Sequence, residues 1–140
     1  MKKEVYRIID ANFNRSREGL RVCEEVARFI INSPALTRDL KSVRHSIASV
    51  LKASPATARI LNGSRDSAGD VGRCSRSKSE MDRVTYGDIF TANIQRVKES
   101  LRVLEEFFKI VDKKSSSRFT DLRFRVYDIE KKVSSRHDKQ

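Results

Sequence analysis

Asp10-Ala-Asn-Phe-Asn-Arg-Ser-Arg-Glu-Gly-Leu-Arg-Val-Cys-Glu-Glu25 returns, changed, as Thr91-Ala-Asn-Ile-Gln-Arg-Val-Lys-Glu-Ser-Leu-Arg-Val-Leu-Glu-Glu106. Nine of the sixteen positions are identical, among them Asn12/Asn93, Arg15/Arg96, Glu18/Glu99 and Glu24/Glu105. Both copies carry apolar residues at a 3.6-residue period, so each reads as an amphipathic helix. The segments that follow also correspond: Val43-Arg44-His45 aligns with Leu122-Arg123-Phe124 after a small shift in connector length. Two copies are too few for a solenoid. They suit two helical hairpins packed about a pseudo-two-fold axis.

The rest of the chain fits around these copies. A first helix is expected over Glu4–Ile31, stopped by Asn32-Ser33-Pro34. A second runs Leu36–Lys52, capped by Ser33 or Thr37 and ended by Ser54-Pro55. A third covers Asp88–Asp112 and a fourth Arg118–Val133. The expectation is a single all-α domain of four principal helices. Repeat unit one is about 4–54, an inserted loop about 55–87, unit two about 88–133 and a frayed tail 134–140. The loop holds four of the five glycines, and a loop of that length inside a compact domain is usually functional or disordered.

Thirty Lys and Arg against nineteen Asp and Glu leave a formal charge of +11. Such a balance favours anionic partners, either nucleic acid or phosphorylated small molecules. The cations are interleaved with acids, and no Lys/Arg-rich block carries interleaved aromatics. Nucleic acid is therefore the lesser reading. Cys23 and Cys74 form no metal-ligand or disulfide pattern, which fits a reducing cytoplasm. The N-terminus shows no apolar signal segment, and no run approaches the roughly 18 apolar residues of a membrane span.

On a helical wheel, Asn12 and Arg15 fall inside the apolar arc of the first helix, and Asn93 and Arg96 do the same in the third. A charge directed toward a core is costly unless paired, so the same violation in both copies suggests a purpose. An anionic-ligand pocket is one; an internal hydrogen-bond network that docks the two hairpins is the other. Gly19 and Ser100, at equivalent mid-arc positions, point to a close helix crossing. Glu18, Arg21, Glu24, Glu25 and Arg28 read as a solvated, salt-bridged face, with Glu18 and Glu99 nearest the arc. In the loop, Arg65-Asp66 and Gly69-Asp70-Val-Gly72-Arg73 could hold Mg²⁺ and phosphate together, although Asp-Gly clusters also simply make turns. His45 beside Arg44 is either structural, or a phosphate contact or proton carrier. No Walker A loop, kinase glycine loop or HExxH motif is present.

Ala11-Asn-Phe-Asn-Arg-Ser-Arg-Glu-Gly-Leu-Arg-Val22, Ala27-Arg-Phe29, Val43-Arg-His45, Arg65-Asp66 with Gly69-Asp-Val-Gly72, and Ala92-Asn93 with Leu101-Arg-Val-Leu-Glu-Glu106 together resemble one small family. It is the compact all-helical hydroxymethylpyrimidine-phosphate kinase, found alone or fused ahead of thiamine-phosphate synthase. The similarity spans about Ile8 to Glu130 in unbroken order. One departure is Arg73-Cys74, where a small polar residue is expected directly after Asp-Val-Gly. The resemblance implies ATP-dependent phosphorylation of 4-amino-5-hydroxymethyl-2-methylpyrimidine phosphate to its diphosphate. It also implies association with thiamine-phosphate synthase, and a homo-oligomer is compatible with it. Site roles follow from the residues themselves: Arg15, Arg96 and Arg44 act on phosphate, with Arg65 in support. Asn12, Asn93, Glu18, Glu99 and His45 line the substrate, and Asp66 and Asp70 hold Mg²⁺. The competing reading is a basic helical module that binds RNA or a partner protein without catalysis.

Overall fold

Helix α1 spans Lys2–Glu25 and runs on into a wider π-helical segment, Val26–Ile31, where the expected single helix changes pitch. It ends at Asn32, whose φ of 56° lies in the left-handed region that Asn tolerates. Ser33 then caps α2 (Pro34–Ala53): its Oγ accepts the Leu36 N–H, and Pro34 occupies the first turn, where its missing N–H costs nothing. Helix α3 covers Tyr86–Val111 and α4 Lys113–His137. The computed structural model describes residues 2–55, 57 and 84–137, which form these four helices and no strand.

Several boundaries depart from expectation. Thr85 starts α3 two residues early through a reciprocal box: its hydroxyl accepts the Asp88 N–H, and the Asp88 carboxylate accepts the Thr85 N–H, each at 3.1 Å. Helix α4 begins at Lys113 rather than Arg118, so Asp112 alone joins it to α3. Asp112 closes α3 through its N–H to the Phe108 carbonyl, then accepts the Lys114 N–H and the Ser115 hydroxyl. Ser116 donates to the Glu105 carbonyl at 2.7 Å, which ties the new first turn back onto α3. At the other end α4 continues past Val133, so part of the expected frayed tail is helical.

Each helix packs on two others: α1 on α2 and α3, and α4 on α2 and α3. Ile9, Leu20, Leu40, Ile47, Leu101 and Phe119 meet, fully buried, in the centre. Phe108 and Phe119, tilted with centroids 5.2 Å apart, pin the α3–α4 hairpin. The α1–α3 contact depends on Gly19. A Cβ there would stand 2.8 Å from Val97 Cγ2 and 3.0 Å from the Asn93 carbonyl oxygen, so only glycine lets the helices come this close. One turn on, Cys23 Sγ lies 3.7 Å from the Phe90 carbonyl. As α1 advances from Gly19 to Cys23 its neighbour on α3 recedes to Phe90, so the two repeat helices run antiparallel. Arg125 bonds Ser42 and Ser46, and Lys132 lies 3.8 Å from Asp39, which makes α2 and α4 antiparallel too.

Candidate functional site

Arg15 and Arg96 are exposed, which corrects the expectation that they point into the core. The arc that holds them faces a neighbouring helix rather than the bundle centre. Arg15 lies one turn before Gly19, the residue that touches α3, and so emerges at the outer rim of that contact. Asn12 is the inward polar member, 4% exposed. Its Nδ2 donates to the Ile8 carbonyl at 2.8 Å, and its Oδ1 accepts Arg15 Nη1 at 3.4 Å. Asn93 repeats the first bond, donating to the Ile89 carbonyl at 2.8 Å. Both amides, expected to meet a ligand, give their donors to their own helix.

The antiparallel crossing fixes what faces what along the outer seam. With Gly19 against Asn93–Val97, Arg15 comes near the level of Glu99, and Arg96 near the level of Glu18. All four are exposed; Arg15 and Arg96 flank the crossing, while Glu99, about 200° round α3 from Val97, is turned away from α1. Gln95 donates to Glu99 at 3.0 Å. Among the described residues Arg96 and Glu18 form no ion pair, and Asn12 is the one hydrogen-bond partner of Arg15. Arg44, Lys98, Arg102, Lys109 and Arg123 are each held by a carboxylate; among the described residues the exposed Arg17, Arg21, Arg28 and Arg38, like Arg15 and Arg96, are not.

The buried charges lie elsewhere. Arg44 makes two parallel bonds to Glu24, Nε–Oε2 at 2.7 Å and Nη2–Oε1 at 3.1 Å. At the aligned positions, Arg123 Nε donates to Glu105 Oε2 at 3.0 Å, while Glu105 Oε1 accepts the Thr120 hydroxyl at 2.7 Å. Burial works against the charged Glu105, but the Thr120 hydroxyl and the Arg123 guanidinium outweigh it and hold the carboxyl below its ordinary range. Burial likewise opposes charge on Arg123, and the bond to Glu105 overrides it, raising that guanidinium further. Glu24 and Glu105 are therefore internal struts, not parts of a solvated face. Arg44, expected to bind phosphate, is committed to Glu24. Glu24 follows Arg15 by nine residues, two and a half turns, so this strut occupies the opposite flank of α1. His45 is exposed on α2 and is not brought to the seam. The recurrence of Glu24 with Arg44 and of Glu105 with Arg123 in both copies was the available signal for the struts.

Cys23 is fully buried, and burial, then the nearby Glu24 carboxylate, push its thiol up to about 12, away from the thiolate form. Arg65, Asp66 and Asp70 lie outside the described residues. Within the described residues no three His, Cys, Asp or Glu side chains gather for a metal. A groove does open between the start of α3 and the end of α4, lined by Thr85, Asp88, Gln95, Lys98, Glu130 and Ser134 among others. Its cation, Lys98, is already bound to Glu130 at 2.8 Å. Lys98 follows Arg96 by two residues, about 200° round the helix, so it turns away from Arg96, while Gln95, which also lines the groove, donates to Glu99. No described helix is long and apolar enough to cross a membrane.

The chain is 39% identical over 125 residues to a thiamine-phosphate synthase of Rhodopirellula baltica, covering 89% of this chain and 33% of that protein. It is 38% identical over 130 residues to one of Nostoc sp., covering 93% and 35%. A third, from Synechocystis sp., is 38% identical over 126 residues, covering 90% and 35%. The chain thus spans about a third of the length of these relatives. No solved structure matches it. The model of the ThiD2 family matches residues 7–132, nearly the whole of both helical hairpins, and the chain belongs to that family.

Proposed function

We propose that this protein is a phosphotransferase of thiamine biosynthesis that converts hydroxymethylpyrimidine phosphate to its diphosphate with ATP as donor. The observation that carries the reading is the seam: two equivalent arginines without a carboxylate partner among the described residues, in a chain of the ThiD2 family. Relatives named thiamine-phosphate synthase add the pathway, since a phosphorylated pyrimidine is what such a synthase would need. The sequence resemblance supports the same reading.

The chemistry asks little of the protein beyond charge and alignment. Phosphoryl transfer passes through a loose transition state, and here the attacking group is already a phosphate oxygen, so no strong general base is required. Arg15 and Arg96 would bind phosphate through their planar forks. Mg²⁺ keeps most of its waters and takes one or two carboxylates besides substrate phosphates. Glu18 and Glu99, exposed beside the arginines, suit that demand, as do Asp66 and Asp70 by residue type. When bound, the ion would neutralise the donor's phosphates. An arginine set to receive the substrate's existing phosphate also explains why a free alcohol would be a poor substrate: the site's charge would go unmatched. We place the reaction in the cytoplasm.

The test is direct. The protein is incubated with ATP, Mg²⁺ and the pyrimidine monophosphate, and the diphosphate is sought by mass spectrometry. Product formation that depends on all three is expected. Absence of product, together with salt-sensitive binding to RNA, would replace this reading with a basic binding module.

A further inference from the structure

We propose that the groove between the start of α3 and the end of α4 is a nucleoside-binding site. It takes the base and ribose of the phosphate donor, and the donor's polyphosphate passes over Ala92 to Arg96. The inference rests on the phosphotransferase reading and says where the donor sits.

The groove suits an uncharged, flat body. Its volume of about 960 Å³ lies at the upper end of the roughly 300–1,000 Å³ of small-molecule sites. Phe90, Ile94 and Val133, all buried, give it apolar walls. Tyr86 also lines it and is 43% exposed, so its ring is open to stack on a base. The charges in the groove are already matched. Lys98 is held by Glu130 at 2.8 Å, and the Asp88 carboxylate accepts the Val84 and Thr85 N–H groups at 3.2 and 3.1 Å. A phosphate placed there would meet two carboxylates and a cation whose charge is answered. A nucleoside asks for no such charge. Gln95, exposed on the groove's rim, gives one amide proton to Glu99 at 3.0 Å, which orients the amide. Its carbonyl oxygen makes no bond among the described residues and can accept from a ribose hydroxyl.

The groove runs out onto the arginine. Ala92 lines it, and Arg96 follows Ala92 by four residues, so the two lie one above the other on the same face of α3. The small side chain at 92 leaves that path open. Arg96 is exposed, forms no ion pair among the described residues and flanks the α1–α3 crossing together with Arg15. Ligand length decides which substrate fits. Tyr86 precedes Arg96 by ten residues, about 15 Å of helix rise. A base at Tyr86, a ribose at Gln95 and a polyphosphate beyond it cover that distance. The acceptor's phosphate stands one carbon and one oxygen from its ring, so a ring seated at Tyr86 would leave it short of Arg96.

Calorimetric titration of the full chain tests the assignment with three probes: a non-hydrolysable ATP analogue carrying Mg²⁺, tripolyphosphate carrying Mg²⁺, and the pyrimidine monophosphate. Tyr86→Ala should weaken the analogue by about tenfold or more, the scale of losing one base–aromatic stack, while Tyr86→Phe keeps the ring and the affinity. Gln95→Ala should weaken the analogue severalfold. Both should leave tripolyphosphate and the pyrimidine monophosphate within about twofold of wild type. Arg96→Ala should weaken the analogue and tripolyphosphate alike. Melting curves establish that the variants are folded. Unchanged analogue binding in folded Tyr86→Ala and Gln95→Ala overturns the inference, as does matched weakening of tripolyphosphate. Selective loss of the pyrimidine monophosphate also overturns it, by seating the acceptor's ring in the groove, and so does a wild type that does not bind the analogue. Selective loss of the analogue in a protein whose wild type makes no diphosphate keeps the nucleoside site and removes the kinase reading. Diphosphate formation with an ATP KM unchanged in both groove variants keeps the kinase and removes the site.

Discussion

Arg44 grips Glu24 across the α1–α2 interface through two bonds of 2.7 and 3.1 Å, with only 11% and 8% of the two side chains exposed. Removing one partner of such a pair strands the other in the interior, which costs about 3–5 kcal/mol. Arg44→Ala should therefore lower the melting temperature by on the order of 10 °C in a domain of this size. Replacing both residues with apolar ones of similar volume should cost much less than either single truncation. Thermal melts of the two singles and the double decide it. A single truncation within about 1 kcal/mol of wild type would show that the pair is not the strut its geometry suggests.

Glu105 makes stability depend on acid. Its folded carboxyl is held below the ordinary carboxylate range: burial opposes the charge, but the Thr120 hydroxyl and Arg123 prevail. A group depressed on folding contributes stability above its unfolded value, near pH 4.3, and loses it as the pH falls through the lower folded value. The Glu105 contribution should be fully present at neutral pH and fade only below about pH 5. Glu105→Gln should be less stable than wild type at pH 7, and the two curves should converge in acid. Parallel curves from pH 7 down to the acid transition would show that Glu105 supplies no proton-linked stability.

The four helices were legible because their apolar residues keep a 3.6-residue period, and the repeat was legible as plain identity. What escaped was direction. Arg15 and Gly19 lie on one stripe, and a wheel cannot say whether that stripe faces a core or a neighbouring helix; Gly19 against Val97 shows that it faces a helix. Glu24 and Glu105 looked like members of surface charge ladders because their partners, Arg44 and Arg123, lie twenty and eighteen residues away. The start of α4 was hidden for another reason. Lys113-Lys-Ser-Ser-Ser117 has no apolar period, and its helix is set by the Asp112 cap and the Ser116 bond to Glu105.

Gly19→Ala sets two effects against each other. Alanine favours a helix over glycine by about 1 kcal/mol. Its methyl would stand 2.8 Å from Val97 Cγ2 and 3.0 Å from the Asn93 carbonyl oxygen, and the latter is backbone that moves only with its helix. Overpacking costs about 1–3 kcal/mol, so a net loss is expected. Val97→Ala should relieve part of it, because it removes the nearer of the two contacts. An alanine variant more stable than wild type would mean that the crossing is looser than its distances imply.

Arg15→Ala and Arg96→Ala should separate activity from stability, unlike the truncations at Arg44. Both arginines are exposed and neither is held by a carboxylate among the described residues, so their removal strands no buried charge. The melting temperature should stay near that of wild type. If the seam binds phosphate, kcat/KM for phosphoryl transfer to the pyrimidine monophosphate should fall on the order of 100-fold in each variant, the usual scale for losing one donor to a developing charge. Arg38→Ala, an exposed change on α2, serves as the control and should leave both quantities unchanged. Rates and melts are to be measured on the same preparations. A cool melt with normal turnover per folded molecule would return Arg15 and Arg96 to a docking role. Wild-type values for both quantities would take the phosphates off the α1–α3 seam and leave Arg65, with Asp66 and Asp70 acting through Mg²⁺, as the remaining candidates to bind them.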